Sequence, residues 1–249
     1  MLATTRIVGS YLSPYVRKVL VCLDMNGIDY EIDPIVPFYG NDAFSVASPL
    51  RRIPLLIDDT VTLADLTVIC EYLDERYPSP SLFPTAAAAR ARVRWLEEYA
   101  DSQLGEVLIW HFFNQLVIRR FVWKEQPDEA LLKKAREEDI PHCLDYLETE
   151  LPATGFFCQS FGMADIALAS FFRNAYFARW TIDGQRWPKV ANWLSEVLAH
   201  ESFAKLSRFE EISLRTPIEK HRSALAEAGA PISEASFFSP SPRRGILVI

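Results

Sequence analysis

The stretch Thr5-Arg6-Ile7-Val8-Gly9-Ser10-Tyr11-Leu12-Ser13-Pro14-Tyr15-Val16-Arg17-Lys18-Val19-Leu20-Val21-Cys22-Leu23 changes its period once, and that change decides the fold. Residues 5–9 are β-prone, whereas Val16, Val19, Leu20 and Leu23 recur at the i, i+3, i+4, i+7 spacing of one helix face. The reading is strand, turn, helix. Just past the helix Asn26-Gly27 tolerates positive φ, and Tyr30-Glu31-Ile32-Asp33-Pro34-Ile35 alternates as a short strand does. A βαβ unit is therefore complete by residue 36.

Outward from this unit, residues 53–57 form a third strand beginning at a proline, Asp58-Asp59-Thr60 a turn, and residues 61–63 a fourth strand. Asp65 caps a helix whose Val68, Ile69, Tyr72 and Leu73 share one side and which stops before Pro78. The order βαβ-ββα occupies residues 1–78. Tyr77-Pro78-Ser79-Pro80-Ser81-Leu82-Phe83-Pro84 carries three prolines and reads as a semi-rigid connector, with the linker at 79–86. Residues 87–215 are helix-patterned, as Val93, Leu96 and Ala100 and later Val190, Trp193, Leu194, Val197 and Leu198 illustrate. The fold class is α/β plus all-α. From Thr216 the apolar periodicity fades, so 216–249 reads as a partly flexible extension, closed by an apolar Ile246-Leu247-Val248-Ile249 that could dock on the body.

A chain of 249 residues with 49% hydrophobic content can bury a sizeable core. Its net charge of -7 argues against broad contact with nucleic acid or anionic lipid, which requires concentrated Lys and Arg. Cys22, Cys70, Cys143 and Cys158 form no CxxC pair and read as reduced, mostly buried thiols. Neither a signal-peptide pattern nor a membrane-length apolar run is present, which makes the cytoplasm the expected location. His111, His142, His200 and His221 show neither metal-ligand spacing nor a carboxylate partner set, and the nine glycines form no phosphate loop, so neither metal nor nucleotide is expected.

Four segments carry a resemblance to a known family. Ser10-Tyr11-Leu12-Ser13-Pro14-Tyr15 is similar to the strand-to-helix turn of the bacterial, tau-like and omega-like cytosolic glutathione transferases, where Ser or Cys precedes Pro and an aromatic. Ser48-Pro49-Leu50-Arg51-Arg52-Ile53-Pro54 resembles their Asn-Pro-x-Gly-Lys-Val-Pro segment, whose second proline is cis. Leu63-Ala64-Asp65-Leu66-Thr67-Val68-Ile69-Cys70-Glu71-Tyr72-Leu73 resembles their Leu-x-Glu/Asp-Ser helix start, with Leu66 where the family has serine. Gly162-Met163-Ala164-Asp165 resembles the Ser/Thr-x-x-Asp capping box of the helical domain, glycine replacing the hydroxyl. The resemblance spans roughly residues 5–210.

The family implies a glutathione transferase with glutathione as co-substrate, a small hydrophobic electrophile as acceptor, and a homodimer. Ser13 then falls at the catalytic position, as a hydrogen-bond donor to the thiolate; read alone, it is a helix N-cap before Pro at N1. Ser10 and Tyr11 are alternative hydroxyls. Arg52 is placed to meet the glycyl carboxylate with Arg51 as a stand-in, Ile53 and cis Pro54 to pair with the peptide backbone, and Asp65 to take the γ-glutamyl amine. At Leu66 only backbone N–H groups remain for the γ-glutamyl carboxylate. Tyr15, Trp110 and Phe113 are candidate walls of the acceptor pocket or, read as aromatics at helical spacing, core. A binding protein with weak or no glutathione activity is the second reading, and a disulfide oxidoreductase, lacking its cysteine at position 13, the third.

Overall fold

The computed structural model describes residues 5–77 and 81–244; Pro78, Ser79 and Pro80 of the expected connector and the apolar ending 246–249 lie outside them. In chain order the elements are β1 (Thr5–Val8), α1 (Pro14–Met25), β2 (Tyr30–Asp33), α2 (Asp42–Ala47), β3 (Leu55–Ile57), β4 (Thr62–Ala64) and α3 (Leu66–Arg76). Then follow α4 (Ala87–Tyr99) with a π-wound continuation over Ala100–Trp123, α5 (Glu129–Lys134), α6 (Ile140–Glu150), α7 (Met163–Phe177), α8 (Pro188–Leu198), α9 (Glu201–Arg215) and α10 (His221–Glu227). Two compact units result, residues 1–81 with 202–249, and residues 82–201.

In the first unit the sheet runs β2-β1-β3-β4. β1 pairs parallel with β2 and antiparallel with β3, and β3 pairs antiparallel with β4. This is the thioredoxin-like βαβ-ββα arrangement that the change of period after Gly9 anticipates. Ile7, Val8, Leu55 and Leu56 on the strands and Val19, Leu20, Leu23, Ile69 and Leu73 on the helices are essentially buried. α2 is absent from the periodicity: it is six residues long, buries only Phe44, and forms because the Asn41 side chain accepts from Phe44 N–H at 3.0 Å.

Two charges on α1 are buried rather than solvated. Arg17 is 1% exposed and its Nε lies 2.5 Å from Oε1 of Glu210 on α9, itself 2% exposed. Lys18 is fully buried, with Nζ 3.4 Å from Thr67 Oγ1 at the start of α3. Helix α9 thus belongs with the first unit, although its apolar periodicity continues that of the helical domain.

The extension after α9 differs from the flexible tail that the sequence suggests. Ile232 forms a parallel bridge to Ile32, with Ile32 N–H donating to Pro231 C=O at 2.7 Å and Ser233 N–H to Ile32 C=O at 3.0 Å. The segment therefore covers the outer edge of β2. Main-chain pairing leaves no side-chain period, which is why the sequence hides it.

In the second unit α7 is the buried centre, with Ile166, Ala167, Leu168, Phe171 and Phe172 excluded from water. Asp165 ties its N-terminus: Gly162 N–H and Phe157 N–H each donate to the carboxyl at 3.2 Å, and Trp193 Nε1 at 2.8 Å. At the cap a Cβ on Gly162 would sit 3.0 Å from the Leu82 carbonyl oxygen, a tight contact that glycine avoids. Among the described residues no helix is long and apolar enough to cross a membrane.

Two stability outcomes follow from these buried charges. Glu210→Ala strips a buried cation of its carboxylate and should cost about 3–5 kcal/mol by urea denaturation; a loss below 1 kcal/mol would remove the pair's structural role. For Asp165, burial pushes the carboxyl up to about 6 from an ordinary 3.8, against the bonds from Trp193, Phe157 and Gly162 that favour the anion. Between these values the folded protein holds a proton that the unfolded chain has released, so the group's contribution falls as pH rises through the window. Asp165→Ala should cost roughly 2–4 kcal/mol, from the lost cap and stranded donors. The gap between it and the parent should shrink as pH rises from 3.8 to about 6.

Candidate functional site

The turn between β1 and α1 is the natural origin of a site, because a helix N-terminus opens there beside a crowded strand end. Ser13 caps α1: its Oγ accepts from Val16 N–H at 3.4 Å, and Pro14 occupies the first helical position. The hydroxyl is half-buried, and accepting that bond leaves its own proton to donate. The alternative hydroxyls are enclosed. Ser10 is 4% exposed and accepts from Leu12 N–H at 3.2 Å. Tyr11 is 1% exposed with its ring 5.0 Å from that of Phe209, and burial drives its phenol pKa upward. Tyr15 is half-buried on the first turn of the same helix.

The Ile53-Pro54 peptide is cis. It lies beside the Ser13 turn, since a Cβ built on Gly9 would stand 3.3 Å from Ile53 Cβ and would collide with Val16. Gly9 at φ 154° therefore serves both conformation and close approach. Ile53 N–H and C=O form no hydrogen bond among the described residues, leaving an open donor and acceptor immediately before β3. Arg52 is exposed, while its N–H donates to Ser48 Oγ at 3.0 Å and its C=O accepts from that hydroxyl at 2.9 Å. Arg51, the stand-in, is already engaged: its guanidinium donates to Gly40 C=O at 2.9 Å and to the Ser45 hydroxyl.

Asp65 caps α3, Oδ1 accepting from Thr67 N–H at 3.0 Å and Val68 N–H at 3.2 Å. Its φ of 156° belongs to a region favouring glycine, and non-glycine residues in such conformations cluster at functional sites. Leu66 is buried, and its N–H has no hydrogen-bond partner among the described residues. The neighbouring Thr67 hydroxyl accepts from Lys18 Nζ at 3.4 Å.

Trp110 and Phe113 belong to the second unit, on the π-wound helix; Trp110 is half-buried and Phe113 is 5% exposed, a core residue of that unit. The same helix presents a feature that the sequence concealed. His111 lies between two carboxylates, Nε2 3.0 Å from Glu106 Oε1 and Nδ1 3.3 Å from Asp139 Oδ2, the latter 28 residues away. No group of three or more His, Cys, Asp or Glu side chains among the described residues could hold a metal ion. Cys22, Cys70 and Cys143 are buried thiols and Cys158 is half-buried.

Residues 7–81 match the model of the glutathione S-transferase N-terminal domain, and residues 123–196 that of the glutathione S-transferase C-terminal domain. The chain belongs to the cytosolic glutathione S-transferase superfamily. Among curated proteins it is 27% identical over 205 residues to the uncharacterized GST-like protein YibF of Escherichia coli (strain K12), covering 80% of this chain and 96% of that one. It is 29% identical over 194 residues to the maleylacetoacetate isomerase of Rattus norvegicus, covering 75% and 84%. A crystal structure of a glutathione S-transferase from Rhodospirillum rubrum F11 superposes with a TM-score of 0.75 at 27% identity, over 82% of this chain and 91% of that one.

The strained backbone at Asp65 can be separated from its capping role. Asp65→Ala removes the cap and should lower stability by about 1–2 kcal/mol. Asp65→Gly loses the same cap but suits φ 156°, and should be at least as stable as the parent in a urea melt. Equal losses in both variants would show that the backbone there is unstrained.

Proposed function

We propose that the chain is a glutathione transferase, binding glutathione on its first unit and stabilising the thiolate for attack on a small hydrophobic electrophile. The observation that carries the reading is the pairing of an open Ile53 N–H and C=O with a donor-capable Ser13 hydroxyl at the N-terminus of α1. Glutathione is an extended tripeptide and would join Ile53 by backbone pairing, as a strand joins a sheet edge. Arg52 would receive the glycyl carboxylate, Asp65 the γ-glutamyl amine, and the Leu66 N–H the γ-glutamyl carboxylate.

The energetics are adequate. A thiol of pKa near 8.5 is about 3% ionised at pH 7, and lowering that pKa by about two units needs roughly 2.7 kcal/mol of preference for the anion. A hydrogen bond to a charged group contributes about 1.5–3 kcal/mol and a helix N-terminus about 0.3–1 kcal/mol. Together they reach the requirement. Serine acts as donor, not nucleophile; the half-buried Tyr15 of the first unit and, separately, the half-buried Trp110 of the second are the proposed acceptor contacts, whereas Phe113 serves the core of its unit. The working form is proposed to be a homodimer in the cytoplasm.

Leu66 favours a second reading. Replacing the carboxylate-binding serine forfeits a charge-assisted bond worth roughly 1.5–3 kcal/mol, about 10- to 150-fold in affinity. A chain so weakened would act as a binding protein that retains the fold. Ser13→Ala decides for the enzyme: glutathione affinity should stay within about twofold, while the bound thiol's pKa rises by about one to two units and conjugation of an aromatic halide at pH 7 falls about 3- to 25-fold. Unchanged conjugation in that variant would exclude Ser13 from the mechanism.

A further inference from the structure

The extension after α9 makes a second set of contacts, beyond the β2 edge, with the segment that leads to Ile53. Asn41 N–H donates to Phe237 C=O at 2.8 Å, Ser239 N–H to Tyr39 C=O at 2.7 Å, and Arg243 N–H to Phe38 C=O at 2.7 Å. Gly40 and Phe238 form an antiparallel bridge. Aromatic rings reinforce the backbone pairing. Phe238 stacks on Tyr39 with centroids 5.9 Å apart and planes 2° from parallel, Phe237 meets Phe44 at 6.2 Å, and the Arg243 guanidinium bonds the Asp42 carboxylate. A Cβ on Gly40 would run into the Phe44 ring, so the loop and α2 are already closely fitted.

The strap is itself anchored on a buried carboxylate. Asp33, 1% exposed at the end of β2, accepts from Phe237 N–H at 2.7 Å and from Ser236 Oγ at 2.7 Å, and pairs with Arg222 at 3.2 Å. Arg222 in turn bonds the Ser233 and Glu234 carbonyls. The same Asp33 carbonyl accepts from Gly9 N–H at 2.9 Å, so one residue links the strap to the strand end beside Ser13.

From the strap the connections continue to the candidate site without a gap. Asn41, held by Phe237, caps α2; Ser48 ends α2 with its N–H on Phe44 C=O at 2.8 Å, and its hydroxyl grips both backbone groups of Arg52. Arg51 crosses back to the Gly40 carbonyl. We propose that the strap, through Phe237, Phe238 and Arg243, is a positioning element that fixes segment 37–52 and thereby sets the affinity of the Arg52–Ile53 site for a peptide carboxylate ligand. This inference rests on the glutathione reading above. Its residues touch no reacting atom; they act through Asn41, Ser48 and Arg52.

The test combines Phe238→Ala and Arg243→Ala in the full chain, both at partly or fully exposed positions, with a chain ending at Ala235 as a stronger variant. Three readouts are taken: hydrogen-exchange protection of the Asn41 amide, the glutathione dissociation constant by calorimetry, and conjugation rate at saturating glutathione. The double variant should lose Asn41 protection and bind glutathione about 2- to 30-fold more weakly, with the saturated rate and its pH profile unchanged. A merely stabilising strap would lower melting temperature while leaving affinity unchanged, and that result overturns the proposal. If the truncated chain does not fold, the double variant decides alone. If the parent chain binds no glutathione, the site reading fails; if it binds and the variant binds equally, the strap inference alone fails.

Discussion

The buried ion pair between Arg17 and Glu210 is the constraint around which the first unit is arranged. Two charges that are each almost wholly removed from water persist only when well paired, because desolvation costs several kcal/mol per ion. The pair fixes α9 against α1, the helix whose N-terminus carries Ser13. Lys18, one residue on, meets Thr67 at the start of α3, beside the cap formed by Asp65. Both charged residues follow directly from the helix that the apolar spacing announces, and both connect its body to segments that border the site.

Around that helix the site is built mainly from backbone. Gly9 permits Ile53 to approach the β1–α1 turn, and the N–H and C=O of Ile53 and the N–H of Leu66 have no hydrogen-bond partner among the described residues. Side-chain chemistry is sparse: one hydroxyl at Ser13, one carboxylate at Asp65, one exposed cation at Arg52. On the proposed reading, such an arrangement would bind a tripeptide by shape and hydrogen bonding, with the Ser13 hydroxyl left to donate to the sulfur. On that reading, leucine rather than serine at position 66 would weaken the grip on one end of the ligand without touching Ser13.

The sheet, α1, α3 and the helical second unit were legible because their residues repeat at 2.0 or 3.6 positions, and each expected strand reappears within two residues of its place. The cis peptide before Pro54 was legible only through resemblance to a family motif. What stayed hidden is physically uniform. α2 buries a single side chain, the strap joins by main-chain bonds, and Arg17, Lys18 and His111 find their partners 193, 49 and 28 residues away. A charge in an amphipathic pattern reads as solvated unless its distant partner is known. The glycine at 162 likewise had no local explanation, since the Leu82 carbonyl that would crowd a Cβ there comes from 80 residues earlier.

The most direct measurement of the central claim is calorimetric titration of the full chain with glutathione at pH 7 in two buffers of different ionisation heat. A thiol whose pKa falls by about two units on binding goes from about 3% to about 75% ionised at that pH, so each bound glutathione should release about 0.7 proton. Saturable binding with that release supports a thiolate-stabilising transferase. Binding without proton release, or no heat at millimolar glutathione, would contradict it.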